Sequence, residues 1–282
     1  GCVGVKRYQR LTPDKMPPEY EQTLWGMYDV PAYARNFFNV PLIVYSGEED
    51  TQRDAASYME EILKAEGMTM RHHIGPGMGH KYHPEVIKTV QAEIEAAVAK
   101  GRDPMPQKVV LQTRTLGYGR MFWVTLLSQE QQWQDTRIEA EVDAGGMLRV
   151  TTKNARAFEV MPDFKVSGVT VDGAAFDASA RVFVKPDGGQ WEVEKMWDHD
   201  AVVKKAGQTG PIEEPLKRTL IVVLPEGDSA SPAVTQWVNA ESQHFLKRWR
   251  GLMRGDVRIK KAAEVTLDDM HHQTLVRWGD AQ

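Results

Sequence analysis

Val40-Pro41-Leu42-Ile43-Val44-Tyr45-Ser46-Gly47-Glu48-Glu49-Asp50 opens as an apolar, β-branched run and ends in turn residues and acids. A short apolar run closed by Ser46-Gly47 reads as a buried strand over 40–45. Residues 51–66 then put Ala55, Tyr58, Met59, Ile62 and Leu63 on one face at helical spacing, with Gly67 where a helix C′ glycine is expected. Thr69 to Ile74 is the next strand, broken by Gly75-Pro76-Gly77-Met78-Gly79-His80. Pro84 suits the first turn of a helix reaching about Ala99, with Val86, Val90, Ile94 and Val98 facing inward. A strand–helix–strand unit of this length implies parallel strands joined by a right-handed crossover. Asp50 and His80 are thus expected just beyond the ends of two neighbouring strands.

Outward from this unit, the pattern changes twice. Gly101-Arg102-Asp103-Pro104-Met105-Pro106 reads as a linker. Beyond it come short alternating strands at 109–115, 121–127, 138–142, 148–150, 157–160, 166–171, 181–185 and 191–195. Asp143-Ala144-Gly145-Gly146, Asp172-Gly173 and Asp187-Gly188-Gly189 supply turns among them. This is an all-β module, expected to be a sandwich. The last third returns to mixed structure, with a buried strand at 220–224 and further strands at 257–259 and 275–278. Between them runs an amphipathic helix from Pro232 to about Arg254, marked by Val234, Trp237, Val238, Phe245, Trp249 and Leu252. The expected division is 1–100, 107–200 and 210–282.

Composition sets the bounds. The 282 residues are 41% hydrophobic and 26% charged, as in ordinary globular domains. A net charge of −4 leaves no electrostatic footprint for nucleic acid, and no apolar run is long enough to cross a bilayer. One cysteine, Cys2, excludes an internal disulfide and a cysteine-rich zinc site. Gly1 stands without an initiator methionine, and only four residues follow the last apolar run. Both ends are therefore expected to be cuts within a longer protein, with any targeting signal upstream and the compartment left open.

His80 is the strongest candidate for chemistry, because a glycine-flanked loop after a buried strand lets an imidazole reach the edge of a sheet. A neutral imidazole there can take a proton from a nucleophile and return it to a leaving group. Asp50 can hold that imidazole in one tautomer. It is also a natural cap for the helix after it, and the two roles are compatible if each carboxylate oxygen serves one. Glu48, Glu49 and Asp54 crowd the same turn, so the acid is fixed to within one or two positions. His80 and His83 are spaced like metal ligands, but no further histidine or cysteine cluster completes a set, and no metal or cofactor is expected. His72 and His73 point to opposite faces of their strand. Cys2 lacks the strand and helix that flank a nucleophile. Trp123, Trp133, Trp191 and Trp197 read as core aromatics before they read as a sugar-stacking platform.

An acid after one strand and a histidine after the next match the last two members of an α/β-hydrolase triad, whose order is nucleophile, acid, base. No Gly-x-Ser-x-Gly occurs in the chain. The text resembles the C-terminal part of prolyl oligopeptidase-like serine peptidases. The likeness rests on Tyr8-Gln9-Arg10-Leu11, Leu24-Trp25-Gly26, Tyr28-Asp29-Val30-Pro31, Tyr45-Ser46-Gly47-Glu48, Gly75 to His80 and Tyr82-His83-Pro84-Glu85. Gly210-Pro211-Ile212 and Trp278-Gly279-Asp280 extend it more weakly.

The resemblance implies an α/β fold: the C-terminal half of an α/β-hydrolase domain, a β-rich sandwich-like module and a terminal α/β segment. It makes Asp50 the triad acid and His80 the base, with the serine and oxyanion hole upstream of Gly1. The implied function is a serine hydrolase acting on peptides through an acyl-enzyme, with this chain inactive alone. A carboxylesterase of the same fold, or a non-catalytic binding protein with a degenerate hydrolase half, are the alternatives.

Overall fold

The computed structural model describes residues 13–27, 29–197, 203–210 and 214–279. Cys2, the Tyr8–Leu11 motif, Tyr28, Pro211-Ile212 and Asp280 lie outside them. The fold is mixed α/β, with several sheets and no closed barrel among the described residues. It divides into two compact units, residues 1–206 and 207–282. The linker at 101–106 therefore joins two architectures inside the first unit.

That unit begins with a short helix, α1 (Glu19–Leu24), and a ten-residue 3-10 helix, Val30–Asn39. The 3-10 helix displaces the expected strand: β1 spans Ile43–Gly47, three residues later than the apolar run suggests. Helix α2 (Arg53–Ala65) buries Met59 and Leu63, and Gly67 follows at φ +73°. Strand β2 (Arg71–Gly75) pairs parallel with β1, Ser46 opposite Ile74 and Gly47 opposite Gly75.

Helix α3 (Val86–Lys100) corrects the expected inward stripe. Only Val90 is buried, while Ile94 and Val98 are 47% and 74% exposed. Fifteen helical residues run about 22 Å at 1.5 Å each, whereas a five-residue strand spans about 16 Å. The helix outruns the two strands it packs on, which accounts for Val98 near its end; Ile94, about 12 Å along, lies within their length and is half-exposed on the helix flank.

Ten strands follow. They are β3 (Lys108–Thr113), β4 (Arg120–Met121), β5 (Val124–Gln129), β6 (Thr136–Val142), β7 (Met147–Lys153), β8 (Ala155–Val160), β9 (Gly168–Val171), β10 (Ala174–Phe176), β11 (Val182–Val184) and β12 (Glu192–Glu194). They form two five-stranded sheets, β10-β9-β7-β6-β3 and β12-β11-β8-β5-β4. Alternate residues of both sheets, among them Leu111, Ile138, Leu148 and Val169 from one and Val124, Phe158 and Phe183 from the other, meet in one core. Trp123 and Trp191 are buried in it, and Trp197 packs on a smaller cluster. Strand β10 was not legible in the sequence. It is the short return arm of a hairpin whose Asp172-Gly173 turn has φ +47° and +90°, the backbone such two-residue turns require.

The edge strand β3 is closed by side chains. Asn39 donates to the Val110 carbonyl at 2.6 Å and accepts from the Val110 N–H at 3.0 Å. Asn36 does the same for Gln112, at 2.8 Å both ways. Three residues of 3-10 helix advance about 6 Å on one face, and two residues of strand advance about 7 Å on one edge, so the amides fall into register. They substitute for a neighbouring strand along an edge that would otherwise be unpaired. Beside them, Glu66 at the end of α2 accepts from Arg35 at 2.8 Å and from both terminal nitrogens of Arg137 on β6, at 2.8 and 3.0 Å.

The second unit is a three-stranded parallel sheet, ordered β14 (Arg258–Lys261), β13 (Leu220–Leu224), β15 (Thr274–Arg277). Helix α4 (Pro232–Met253) follows β13, and α5 (Leu267–His272) follows β14. Within α4 the expected stripe is again only partly inward. Val238 is buried, but Trp237 and Leu252 are 57% and 67% exposed. A 22-residue helix of about 33 Å outruns strands of four or five residues, which leaves Leu252 uncovered, whereas Trp237 sits early in the helix, on the flank against Trp278.

Candidate functional site: an acid and a histidine at adjoining strand ends

Strands β1 and β2 end side by side, and the loops that follow them are fastened together. Glu48 N–H donates to the Gly75 carbonyl and Glu49 N–H to the Met78 carbonyl, both at 2.9 Å. The Glu48 carboxylate accepts from Gly77 N–H at 2.8 Å. Tyr45, on β1, reaches the other flank of the histidine loop. Its hydroxyl donates to the Lys81 carbonyl at 3.0 Å and accepts from His83 N–H at 2.8 Å. The loop carrying His80 is thus held on both sides by side chains from the strand that leads to Asp50 and from the turn after it.

Gly47 explains the spacing between glycine and acid. A Cβ at this position would lie 2.1 Å from the Gly79 carbonyl oxygen and 2.2 Å from that of Met78. Only glycine lets the two loops approach this closely.

The structure brings the two predicted residues together: His80 Nδ1 lies 2.9 Å from Asp50 Oδ2. The other carboxylate oxygen, Oδ1, accepts from Gln52 N–H at 2.8 Å, so one oxygen serves the turn and one the imidazole. Helix α2 starts at Arg53, and Asp50 acts on the turn before it rather than as its N-cap. The Gln52 N–H first, and the His80 hydrogen bond second, hold the Asp50 carboxyl below the usual carboxylate range. An ionised carboxylate only accepts, so Nδ1 of His80 carries the hydrogen, and in the neutral ring Nε2 presents its lone pair. The side chain of Asp50 is 11% exposed and that of His80 77%. Among the described residues Nε2 has no partner. Chemically, this is an oriented base waiting for a proton donor.

The neighbouring histidines, His72, His73 and His83, are occupied elsewhere. His72 contacts the Ser46 hydroxyl at 3.0 Å, and its burial lowers its pKa, which favours a neutral ring. His73, on the opposite face, contacts Glu93 of α3 at 3.0 Å. His83 accepts from Glu85 N–H at 3.2 Å at the entry to α3, and does not converge with His80 on a metal site. Among the described residues no group of three or more histidine, cysteine or acidic side chains could hold a metal ion, and no helix is long and apolar enough to cross a membrane. Sequence reasoning named Glu48 only as an acid crowding the turn and Tyr45 only within a motif, and missed the fastening role of both. The signal for that role was position, since both flank the Ser46-Gly47 turn that faces the histidine loop.

Compared with known proteins, the chain matches no family model, no curated protein and no solved structure.

Proposed function

We propose that the chain carries the acid and base of a serine hydrolase of the α/β-hydrolase, prolyl oligopeptidase-like kind. Residues 1–100 would form the C-terminal half of the hydrolase domain, followed by a sandwich-like β module and a terminal α/β segment. The observation that carries this reading is the 2.9 Å His80–Asp50 pair, held by fastened loops beyond the C-terminal ends of adjacent parallel strands, with Nε2 unpartnered. The resemblance of the motifs around it supplies the reaction class, and the serine is assigned to sequence preceding Gly1.

In that reaction the serine Oγ attacks the substrate carbonyl while its proton passes to His80 Nε2. Asp50 stabilises the imidazolium and keeps the ring oriented. His80 then gives the proton to the departing amine or alkoxide, leaving an acyl-serine. Water, deprotonated by the same nitrogen, attacks the acyl carbon, releases the acid and regenerates the serine. Peptide and ester substrates differ only in the leaving group, so the same machinery serves a peptidase or a carboxylesterase.

The test uses the protein encoded by the whole reading frame. A fluorophosphonate should label a serine preceding Gly1, with hydrolysis of chromogenic peptide or ester substrates. Asp50→Asn should lower kcat by about four orders of magnitude, as in other triads. Absence of label and turnover, or near-normal turnover by Asp50→Asn, would sink the proposal and leave a binding role as the better reading.

A further inference from the structure

The unit formed by residues 207–282 contains a cleft of about 240 Å³ that the proposed hydrolase chemistry does not use. It opens beyond the C-terminal ends of β13 and β15, between the loop that leaves β13 and the first turns of α4. From β13 the chain passes through α4 to β14 on one side. From β14 it passes through α5 to β15 on the other side of β13. The strand order therefore reverses at β13. In open parallel sheets, crevices at such a reversal, outside the carboxyl ends of the strands, are where ligands bind.

The lining decides the ligand's chemistry. A phosphate would need free backbone N–H groups at the helix entry and a basic surround; the entry N–H groups are largely engaged and the surround is not basic. Ser229 N–H is bound to Thr235 Oγ1 at 2.9 Å, Ser231 N–H to Ser229 Oγ at 3.1 Å, and the Val234 and Thr235 N–H groups to the Ser231 carbonyl at 3.0 and 3.1 Å. Pro232, at the first helical position, has no N–H. The loop has neither the glycine spacing of a dinucleotide fingerprint nor that of a P-loop. Two carboxylates, Glu226 and Asp228, oppose a single cation, Arg277.

What the cleft offers is an assortment of donors and acceptors beside an aromatic wall. One oxygen of Glu226 is taken by Ala263 N–H at 2.9 Å. The side chains of Asp228, Asn239 and Arg277 have no partner among the described residues. Trp278 lines the same cleft and is held against Trp237 and Phe245, with ring centroids 6.0 and 5.9 Å away. Carboxylates accept paired hydrogen bonds from neighbouring hydroxyls, an amide supplies both senses, and an indole covers the C–H face of a ring. The volume lies below the roughly 300–1,000 Å³ of pockets for drug-sized ligands, which limits the occupant to a single small ring.

We propose that this cleft binds a neutral, hydroxyl-rich ligand of monosaccharide size, gripped by Asp228, Glu226 and Asn239 and covered by Trp278. The test titrates the full chain with glucose, galactose, xylose and N-acetylglucosamine, followed by saturation-transfer NMR, with inorganic phosphate as the competing chemistry. Asp228→Leu and Asn239→Leu are the variants. Both positions are exposed, so the fold is expected to survive, and circular dichroism checks that it does. Trp278 is left unchanged because it packs against its neighbours. At least one sugar should bind with a dissociation constant of about 1 mM, each variant should weaken binding at least fivefold, and phosphate should not compete. Three results would overturn the proposal: no sugar binds, the binding persists in the double variant, or phosphate occupies the cleft in the sugar's place.

Discussion

Removing the Asn39 amide tests how the edge of β3 is held. In Asn39→Ala the Val110 N–H and C=O lose the lateral partners they have among the described residues, at 3.0 and 2.6 Å. Val110 is 3% exposed, so water has little access to take over. A buried group left unsatisfied costs about 1–3 kcal/mol, and with two groups affected the expected loss is about 2–6 kcal/mol. For a unit of this size each kcal/mol moves Tm by about 2–4 °C, which gives a drop of about 4–24 °C. Asn36→Ala should behave alike at Gln112. Because both amides serve one strand, the double variant should not be additive. Urea or thermal unfolding gives the magnitude, and amide hydrogen exchange gives the location. Val110 N–H should lose protection in Asn39→Ala while Leu111 N–H, which faces β6, keeps its own. Unchanged exchange at Val110, or a loss below about 0.5 kcal/mol, would refute the argument that these amides replace a strand.

The charge cluster beside them sets the acid response. Burial pushes Glu66 upward, but hydrogen bonds from Arg35 and Arg137 outweigh it and hold the carboxyl below its ordinary value. Asp135 follows the same pattern, with burial opposed by Gln112 and Lys153. Both contributions are full above the unfolded carboxylate range near pH 4 and are lost as pH falls through the lowered folded values, so Glu66→Gln should flatten the fall in Tm below about pH 4. In the second unit, Lys260 and the Thr266 backbone and hydroxyl hold Asp269 at about 2, so its share of stability should be lost only between about pH 4 and pH 2; carboxyl NMR titration reads this directly. Gly47→Ala should part the two loops at the site. A variant structure in which His80 Nδ1 stays within 3.2 Å of Asp50 Oδ2 would contradict the close-approach argument.

The site was more legible than the fold around it. Asp50 and His80 stand out because each follows an apolar run and a glycine-marked turn, so a strand end and a loop can be inferred from neighbours in the chain. Tyr45 and Glu48 gave no such signal. Their work is done on atoms 29 to 38 residues away, and nothing local in the sequence distinguishes a tyrosine that fills space from one that fastens a loop. The inward stripes of α3 and α4 were overextended for a related reason. Periodicity shows which face of a helix is apolar, but the number of buried turns depends on the length of the sheet beneath it.

What the sequence by itself determined are the features that depend on near neighbours. These are the alternation of strand and helix in 40–100, the β character of 107–197, the glycines at positive φ, and the acid and histidine at their strand ends. The tertiary structure alone decided the distant pairings: which oxygen of Asp50 meets His80, how Asn36 and Asn39 close β3, how Glu66 joins two arginines, and where the reversal of strand order opens a cleft in the second unit. Local propensity acts through a few bonds and is written in consecutive residues. Hydrogen bonds and ion pairs between segments exist only once the chain has folded back on itself, and their partners carry no mark of one another until then.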